Sequence, residues 1–327
     1  MIIARSPLRI PLGGGGTDLS SYYSTRGGAL CSVAINKYTY VVIKPYFFDR
    51  LLLSYSKMEN VENAGQVEQP IIREALKMTG IKSGLEIYSI ADMPSNTGLG
   101  SSSSFAVSLL HGLHTFKHEH LPLQTLAEEA CDIEIKRLGE PIGKQDQYLA
   151  AFGGIVNLDI SRAGKVDVTP MAIQPHYLNQ LEKSLFLFYT GIRRSASEVL
   201  ADQDSAAKKK QAPVLDTLDH IKDIGMKIRE SLGRGELDRF GELMDEHWQF
   251  KKKLSSKVSN SDIDKWYEAG KSAGALGGKI MGAGGGGFLL FYCPDNAQKL
   301  RAAMSGMGLA EMRFNFEYEG TKIIFNA

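Results

Sequence analysis

Cysteine is scarce in this 327-residue sequence: Cys31, Cys131 and Cys293 stand far apart. None belongs to a C-x-x-C pair, which argues against a zinc site and against a disulfide framework. The odd count fits a reducing cytoplasm. Long apolar runs are missing as well. The longest is a few residues, far short of the roughly 20 that a membrane-spanning helix needs. Arg5 and Arg9 interrupt the stretch that a signal peptide would keep apolar, and no cleavage pattern follows. Neither sign of charge is in excess, since 38 Lys+Arg against 37 Asp+Glu leave a net +1. That balance removes the footprint of a general nucleic-acid binder and leaves room for a local basic pocket. These absences lead us to expect a cytoplasmic protein that engages neither nucleic acid nor membrane; a monomer or homodimer with small-molecule partners is a separate expectation.

The hydrophobic share, 43%, exceeds what one ordinary core uses and predicts two lobes, or one large fold with an appendage. Residues 29–44, 51–55 and 85–91 are rich in β-branched and aromatic types and read as strands. The period then changes: Phe105, Leu109, Leu113 and Phe116 recur at helical spacing and predict a helix over 101–117. A second helix is expected over 122–138, with Pro122 in its first turn and Gly139 as its stop. Strands are expected near 154–159, 184–190, 288–292 and 321–325, and a helix near 262–274. The stretch 195–254 reads as helical and polar. The fold class is therefore α+β, with a lobe boundary near 170–182, giving lobes 1–175 and 176–327.

Glycine is plentiful, 34 residues, and three segments concentrate it. In L-R-I-P-L-G-G-G-G-T-D, residues 8–18, a short strand runs into four glycines that would let a ligand approach the backbone. Gly15, Gly16, Thr17 and Asp18 stand at its mouth. In M-P-S-N-T-G-L-G-S-S-S-S-F, residues 93–105, Pro94, Gly98, Leu99 and Gly100 precede Ser101, Ser102, Ser103 and Ser104 at a helix N-terminus, where open N–H groups and the helix dipole gather anions. It is not a Walker A loop, for no G-K-[ST] follows. The third, K-I-M-G-A-G-G-G-G-F-L-L-F-Y, residues 279–292, contains Gly282, Gly284, Gly285 and Gly286. Gly282, Gly284 and Gly287 satisfy G-x-G-x-x-G, but a strand follows instead of a helix, so a dinucleotide fold and its oxidoreductase chemistry are excluded. A tight loop packed on another loop or a ligand is expected.

Two carboxylates stand out. On the 122–138 helix, Glu134 projects into the apolar stripe, while Glu128 and Asp132 point the other way. A carboxylate on a buried face needs a partner, either a cation such as Arg137 or a Mg²⁺ ion. Asp146, in P-I-G-K-Q-D-Q-Y, is placed in a loop and is a candidate general base. His111, His114 and His118 share a face opposite the apolar stripe of 101–117; that face is expected to meet solvent, and no metal is assigned to it.

Taken together, these motifs resemble the GHMP small-molecule kinase superfamily, which includes galacto-, homoserine, mevalonate and phosphomevalonate kinases. The likeness runs through three ordered motifs: S-P-L-R-I-P-L-G-G-G-G-T-D, the phosphate loop P-x-x-x-G-L-G-S-S, and G-A-G-G-G-G. It implies a two-lobed fold, an N-terminal α/β lobe of ribosomal-protein type with the phosphate loop and a C-terminal ferredoxin-like α+β lobe. It also implies ATP as co-substrate, Mg²⁺ held by Ser102 and Glu134, Asp146 as catalytic carboxylate with Arg9 beside it, and Asp18 on the sugar. Galactokinases carry G-E-H-T-D where this sequence has G-G-G-T-D, which argues against galactose. Short strings at 14–23, 34–38, 146–154 and 190–197 are similar to the D-glycero-D-manno-heptose 7-phosphate kinase branch, whose members phosphorylate the anomeric hydroxyl for nucleotide-activated heptose and surface polysaccharide. Arg193, Arg194 and Lys37 are then the candidates for a substrate phosphate, because an Arg fork suits phosphate oxygens. Two alternatives stay open: an anomeric kinase of an unphosphorylated sugar such as fucose, and a non-catalytic sugar- or nucleotide-binding protein of the same fold.

Overall fold

The run dense in β-branched residues is a single strand of 18 residues. In the computed structural model, which describes residues 1–194, 196–209 and 211–327, this strand, β2 (Gly28–Pro45), lies antiparallel along β1 (Ile2–Gly13), and α1 (Ser20–Arg26) joins the two. Then come β3 (Leu51–Ser54), β4 (Met58–Val61), α2 (Pro70–Thr79), β5 (Leu85–Ala91), α3 (Ser101–Phe116), α4 (Leu123–Cys131), α5 (Gln145–Phe152), β6 (Ile155–Ile160) and β7 (Val166–Pro170). The length of β2 lets it pair twice on one edge, with β6 through its first half and with β5 through its second. The result is an eight-stranded sheet whose main path is completed at one edge by β12 (Lys322–Asn326).

The second half supplies α6 (Pro175–Ser184), β8 (Leu185–Tyr189), α7 (Ala196–Lys208), α8 (Ala212–Arg234), α9 (Leu237–Lys251), α10 (Ser261–Ser272), β9 (Gly277–Ile280), β10 (Phe288–Tyr292), α11 (Ala297–Gly306) and β11 (Ala310–Glu311). Its sheet has the order β11-β8-β10-β9. The last strand does not stay with it: β12 returns to pair with β1, Ile2 opposite Asn326. The lobes also share a core, since Leu8, Ile10 and Leu12 of β1 pack with Leu187, Phe240 and Phe288. A boundary drawn at 175/176 therefore marks a change of sheet and not a break in packing.

Two expectations are corrected here. The helix predicted over 122–138 is α-helical only to Cys131. Residues Asp132–Arg137 form a π-helical turn, in which Leu138 N–H donates to the Ile133 carbonyl five residues back at 3.0 Å. Such widened turns recur at functional sites, and this one carries Glu134. The histidine face of α3 is not uniformly solvent-facing. That helix is buried on most sides, and His114 is 7% exposed, bonded through Nδ1 to Glu119 at 2.7 Å and through Nε2 to Glu129 at 2.8 Å. Its stripe was read from apolar residues alone, whereas Ser103, Ser104, Ser108 and Gly112 are also buried. His111 bonds Thr321, and only His118 is fully exposed.

Candidate active site

Of the two arginines on β1, Arg9 is the one that reaches the cleft between the lobes. Arg9 sits between Leu8 and Ile10, both fully buried, and is itself 6% exposed. Its guanidinium has two tasks: Nε and Nη2 grip the Asp146 carboxylate at 2.7 Å each, and Nη1 donates to the Gly98 carbonyl at 2.7 Å. This is a fork-to-fork ion pair, the most orientation-specific kind. Asp146 lies in the first turn of α5 and not in a loop, so the positive end of that helix also favours its charge. One lone pair on each carboxylate oxygen remains for an acceptor hydroxyl.

The 94–100 segment turns into α3 through Gly98 and Gly100, both at φ +81°. Gly100 is required twice: its φ lies in the left-handed region, and a Cβ there would stand 3.2 Å from Asp146 Oδ2. No side chain caps α3, so the first-turn N–H groups face the cleft, an anion site. The four serines divide. Among the described residues Ser101 Oγ has no hydrogen-bond partner. Ser102 donates to Glu134 Oε1 at 2.7 Å, and Ser103 also bonds that carboxylate. Ser104 is turned away and donates to the Pro7 carbonyl at 2.7 Å, fixing the helix to β1. Leu99 is a core residue, and the Pro94 carbonyl accepts from Thr97 Oγ1; both shape the loop from outside the cavity.

Glu134 is 2% exposed, yet it lines the cleft. Burial pushes its pKa up, and the bonds from Ser102, Ser103 and Gln147 act against that. Arg137 does not pair with it; that side chain engages Asp132 and Glu74. One carboxylate with hydroxyls beside it suits Mg²⁺, which takes few protein ligands and completes its shell with phosphate oxygens and water. Among the described residues no three His, Cys, Asp or Glu side chains gather into a metal cluster.

On the acceptor side, Asp18 is 7% exposed and accepts from the N–H groups of Gly16 and Gln145 at 3.2 and 3.1 Å. Burial raises its pKa. Gly15, Gly16 and Asp18 line the cleft, but Thr17 is fully buried and ties its hydroxyl to the Gly14 carbonyl at 2.8 Å. The third glycine loop meets the second. A Cβ on Gly282 would lie 2.8 Å from Gly98 Cα, and one on Gly98 would lie 2.7 Å from the Met281 carbonyl. Gly282 reaches the cavity, whereas Gly284, Gly285 and Gly286 pack on Val258, Lys257 with Arg194, and Ile192.

The three cations expected around a substrate phosphate are elsewhere. Arg193 is exposed, Arg194 rests on Gly285 with Nη1 toward the Lys257 carbonyl at 3.4 Å, and Lys37 stays on β2; none lines the cleft. The adjacent Ser195 lies outside the described residues. His247, Lys251 and Lys279 line it instead. Burial brings both lysines down to about 7, helped by nearby positive charge, and lowers His247 well below its usual range. Reading 195–254 only as helical and polar hid the first two. A charged residue inside the apolar strand preceding the third loop was the available signal for Lys279. The cleft holds about 440 Å³, enough for a small substrate beside a nucleotide's phosphates.

The GHMP kinases N terminal domain model matches residues 63–154 and the GHMP kinases C terminal model residues 228–308, together more than half of the chain. The sequence is 29% identical, over 98% of both chains, to a D-glycero-alpha-D-manno-heptose 7-phosphate kinase of Campylobacter jejuni subsp. jejuni serotype O:2. It is 26% identical, over 90% of its length, to an Arabidopsis thaliana bifunctional fucokinase/GDP-fucose pyrophosphorylase, of which it spans 30%. Among solved structures, a putative sugar kinase from Campylobacter jejuni shares 26% identity over 98% of this chain and 97% of that one, with a TM-score of 0.78. A D-glycero-D-manno-heptose 1-phosphate kinase from Bacteroides thetaiotaomicron shares the fold over the whole of both chains at a TM-score of 0.82 and 24% identity. A helix N-terminus open to phosphates, facing a carboxylate held by an arginine, is what phosphoryl transfer to an alcohol requires, and with these likenesses it places the chain in the GHMP kinase family, as a sugar kinase that draws its phosphoryl group from ATP.

Proposed function

We propose that this protein transfers the γ-phosphoryl group of ATP to the anomeric C1 hydroxyl of D-glycero-D-manno-heptose 7-phosphate, giving the 1,7-bisphosphate. The observation that carries this reading is the Arg9–Asp146 pair beside the open N-terminus of α3, in a chain similar along 98% of its length to a heptose 7-phosphate kinase. The nucleotide's phosphates lie against the N–H groups of the first turn of α3 and Ser101. Glu134 and Ser102 would hold a Mg²⁺ ion, which would supply neutralisation of the phosphates' charge. Asp18 and the backbone of Gly15 and Gly16 hold the sugar. Asp146 receives the hydroxyl proton or aims the hydroxyl at phosphorus, while Arg9 fixes Asp146 and offsets negative charge in the transition state. Most of the acceleration then comes from positioning and electrostatics. The 1,7-bisphosphate would serve synthesis of nucleotide-activated heptose for surface polysaccharide.

The test is turnover with MgATP of three acceptors: heptose 7-phosphate, unphosphorylated heptose and fucose. Phosphorus NMR of the product then locates the new ester. Phosphorylation at C1 with a strong preference for the 7-phosphate is expected. Robust turnover of fucose would move the assignment to the fucokinase-like reading, and absence of turnover on any sugar would leave a binding protein.

A further inference from the structure

The mechanism above leaves unused the most unusual set of charges in the molecule. Lys251 ends α9, one helical turn beyond His247, and Lys279 lies in β9, 2% exposed. Among the described residues neither lysine has a carboxylate partner. Lys251 donates to the Ile280 and Gly282 carbonyls, and Lys279 to the Leu12 carbonyl at 2.7 Å. His247 is 1% exposed, and both its ring nitrogens lack a hydrogen-bond partner. All three line the cleft, as do Leu200, Leu254, Gly15, Gly16 and Asp18. Arg9, the nearest further cation, is already neutralised by Asp146.

We infer that His247, Lys251 and Lys279 form an anion subsite for the phosphate that the acceptor sugar already carries. The inference rests on the sugar phosphate reading above and deepens it. Two like charges held together in a buried wall repel each other and lose hydration, so the arrangement is unfavourable until a counter-charge enters. A phosphate dianion matches two ammonium groups, and the neutral imidazole adds a hydrogen bond to a third oxygen. The nucleotide's phosphates do not need these groups, because α3 and its serines already supply donors. Lys279 is anchored at Leu12, three residues past Arg9 and so about 10 Å farther along β1, toward the Gly15–Asp18 end of the cavity. The pKa values near 7 of both lysines without ligand fit a pair that awaits an anion.

The test uses full-length Lys251→Met and Lys279→Met, which keep an apolar stem in a buried site. Each is expected to raise the Michaelis constant for heptose 7-phosphate about 10–150-fold, leaving that for ATP, and turnover at saturating sugar phosphate, at parental values. Arg193→Ala, outside the cleft, should match the parent. Equal losses on heptose and its 7-phosphate, or a rise confined to ATP, overturn the subsite. A second measurement needs no variant: acetic anhydride labelling of the unaltered protein near neutral pH, read by mass spectrometry. Heptose 7-phosphate and inorganic phosphate should shield both lysines, whereas MgATP alone and plain heptose should not. Shielding by MgATP alone, or none by the sugar phosphate, overturns the inference. If the sugar phosphate shields the lysines but no C1 ester forms, the subsite stands and the proposed reaction falls. A C1 ester formed with the lysines unshielded keeps the reaction and removes the subsite.

Discussion

The two anion subsites we propose for the cleft are built from different materials. The nucleotide end is made of backbone: glycines at positive φ, uncapped N–H groups and short hydroxyls at the start of α3. The subsite we propose for the acceptor's phosphate is made of long side chains on α9 and β9. A backbone-built site restricts residue type at successive positions, so it appears in sequence as a motif. A side-chain-built site needs only that a lysine's Cβ point the right way, and any spacing in the chain will do.

Four substitutions or titrations sharpen that contrast. The largest effect is expected at the junction of the two ends. Asp146→Asn removes the acceptor of the hydroxyl proton and one half of the Arg9 fork, and turnover should fall ~10²–10⁴-fold with nucleotide affinity nearly unchanged. Steady-state kinetics check this, and near-parental turnover would leave Asp146 a positioning role only.

Next comes the metal. Glu134→Gln should raise the Mg²⁺ concentration needed for half-maximal rate by at least the ~10–100-fold that losing an outer-shell partner costs. Glu128→Gln, on the opposite face of its helix, should not. A Mg²⁺ titration of both variants settles which carboxylate matters, and equal responses would remove the ligand assignment.

Smaller in energy is Gly98→Ala. A Cβ at φ +81° facing the Met281 carbonyl at 2.7 Å should cost about 1–3 kcal/mol, seen as a lower Tm and a higher Michaelis constant for ATP. The sugar's constant should move less, since the damage is to the backbone-built end.

The smallest effect lies outside the cleft. Burial would lower the pKa of His114, but its bonds to Glu129 and Glu119 outweigh that and raise it. A raised folded pKa means that the stabilisation is complete below the unfolded value, about 6.5, and is lost as pH rises through the folded one. The Tm difference between parent and His114→Gln should therefore shrink as pH rises from below the unfolded value of about 6.5 through the raised folded one. A difference that grows over that range would contradict the assignment.

How much of this was legible in the sequence follows the same division. The strand at 29–44, the helix at 101–117 and the loop joining 94–100 to Ser101 were readable, because period and glycine placement are local. Glu134 was found by helical geometry even though the local helix is wider than assumed. The π-helical turn itself left no mark, since nothing in D-I-E-I-K-R distinguishes it from an α-helix. The return of β12 to β1 was invisible for a different reason: pairing across the whole chain is set by which edge is free. The arginine pair 193–194 attracted attention by adjacency, whereas Lys279 and His247 are scattered and became neighbours only through the fold.

The meeting of Gly98 and Gly282 bears on how the chain can change. Elsewhere in a protein, a side chain that grows can be answered by a neighbour that shrinks. Here each partner is already at the minimum, with one loop's backbone lying against the other's. A residue gained on either loop has no reciprocal change open to it across the contact. Second-site suppressors of Gly98→Ala should therefore be absent from residue 282 and turn up, if anywhere, in the segments that set how far the two loops stand apart.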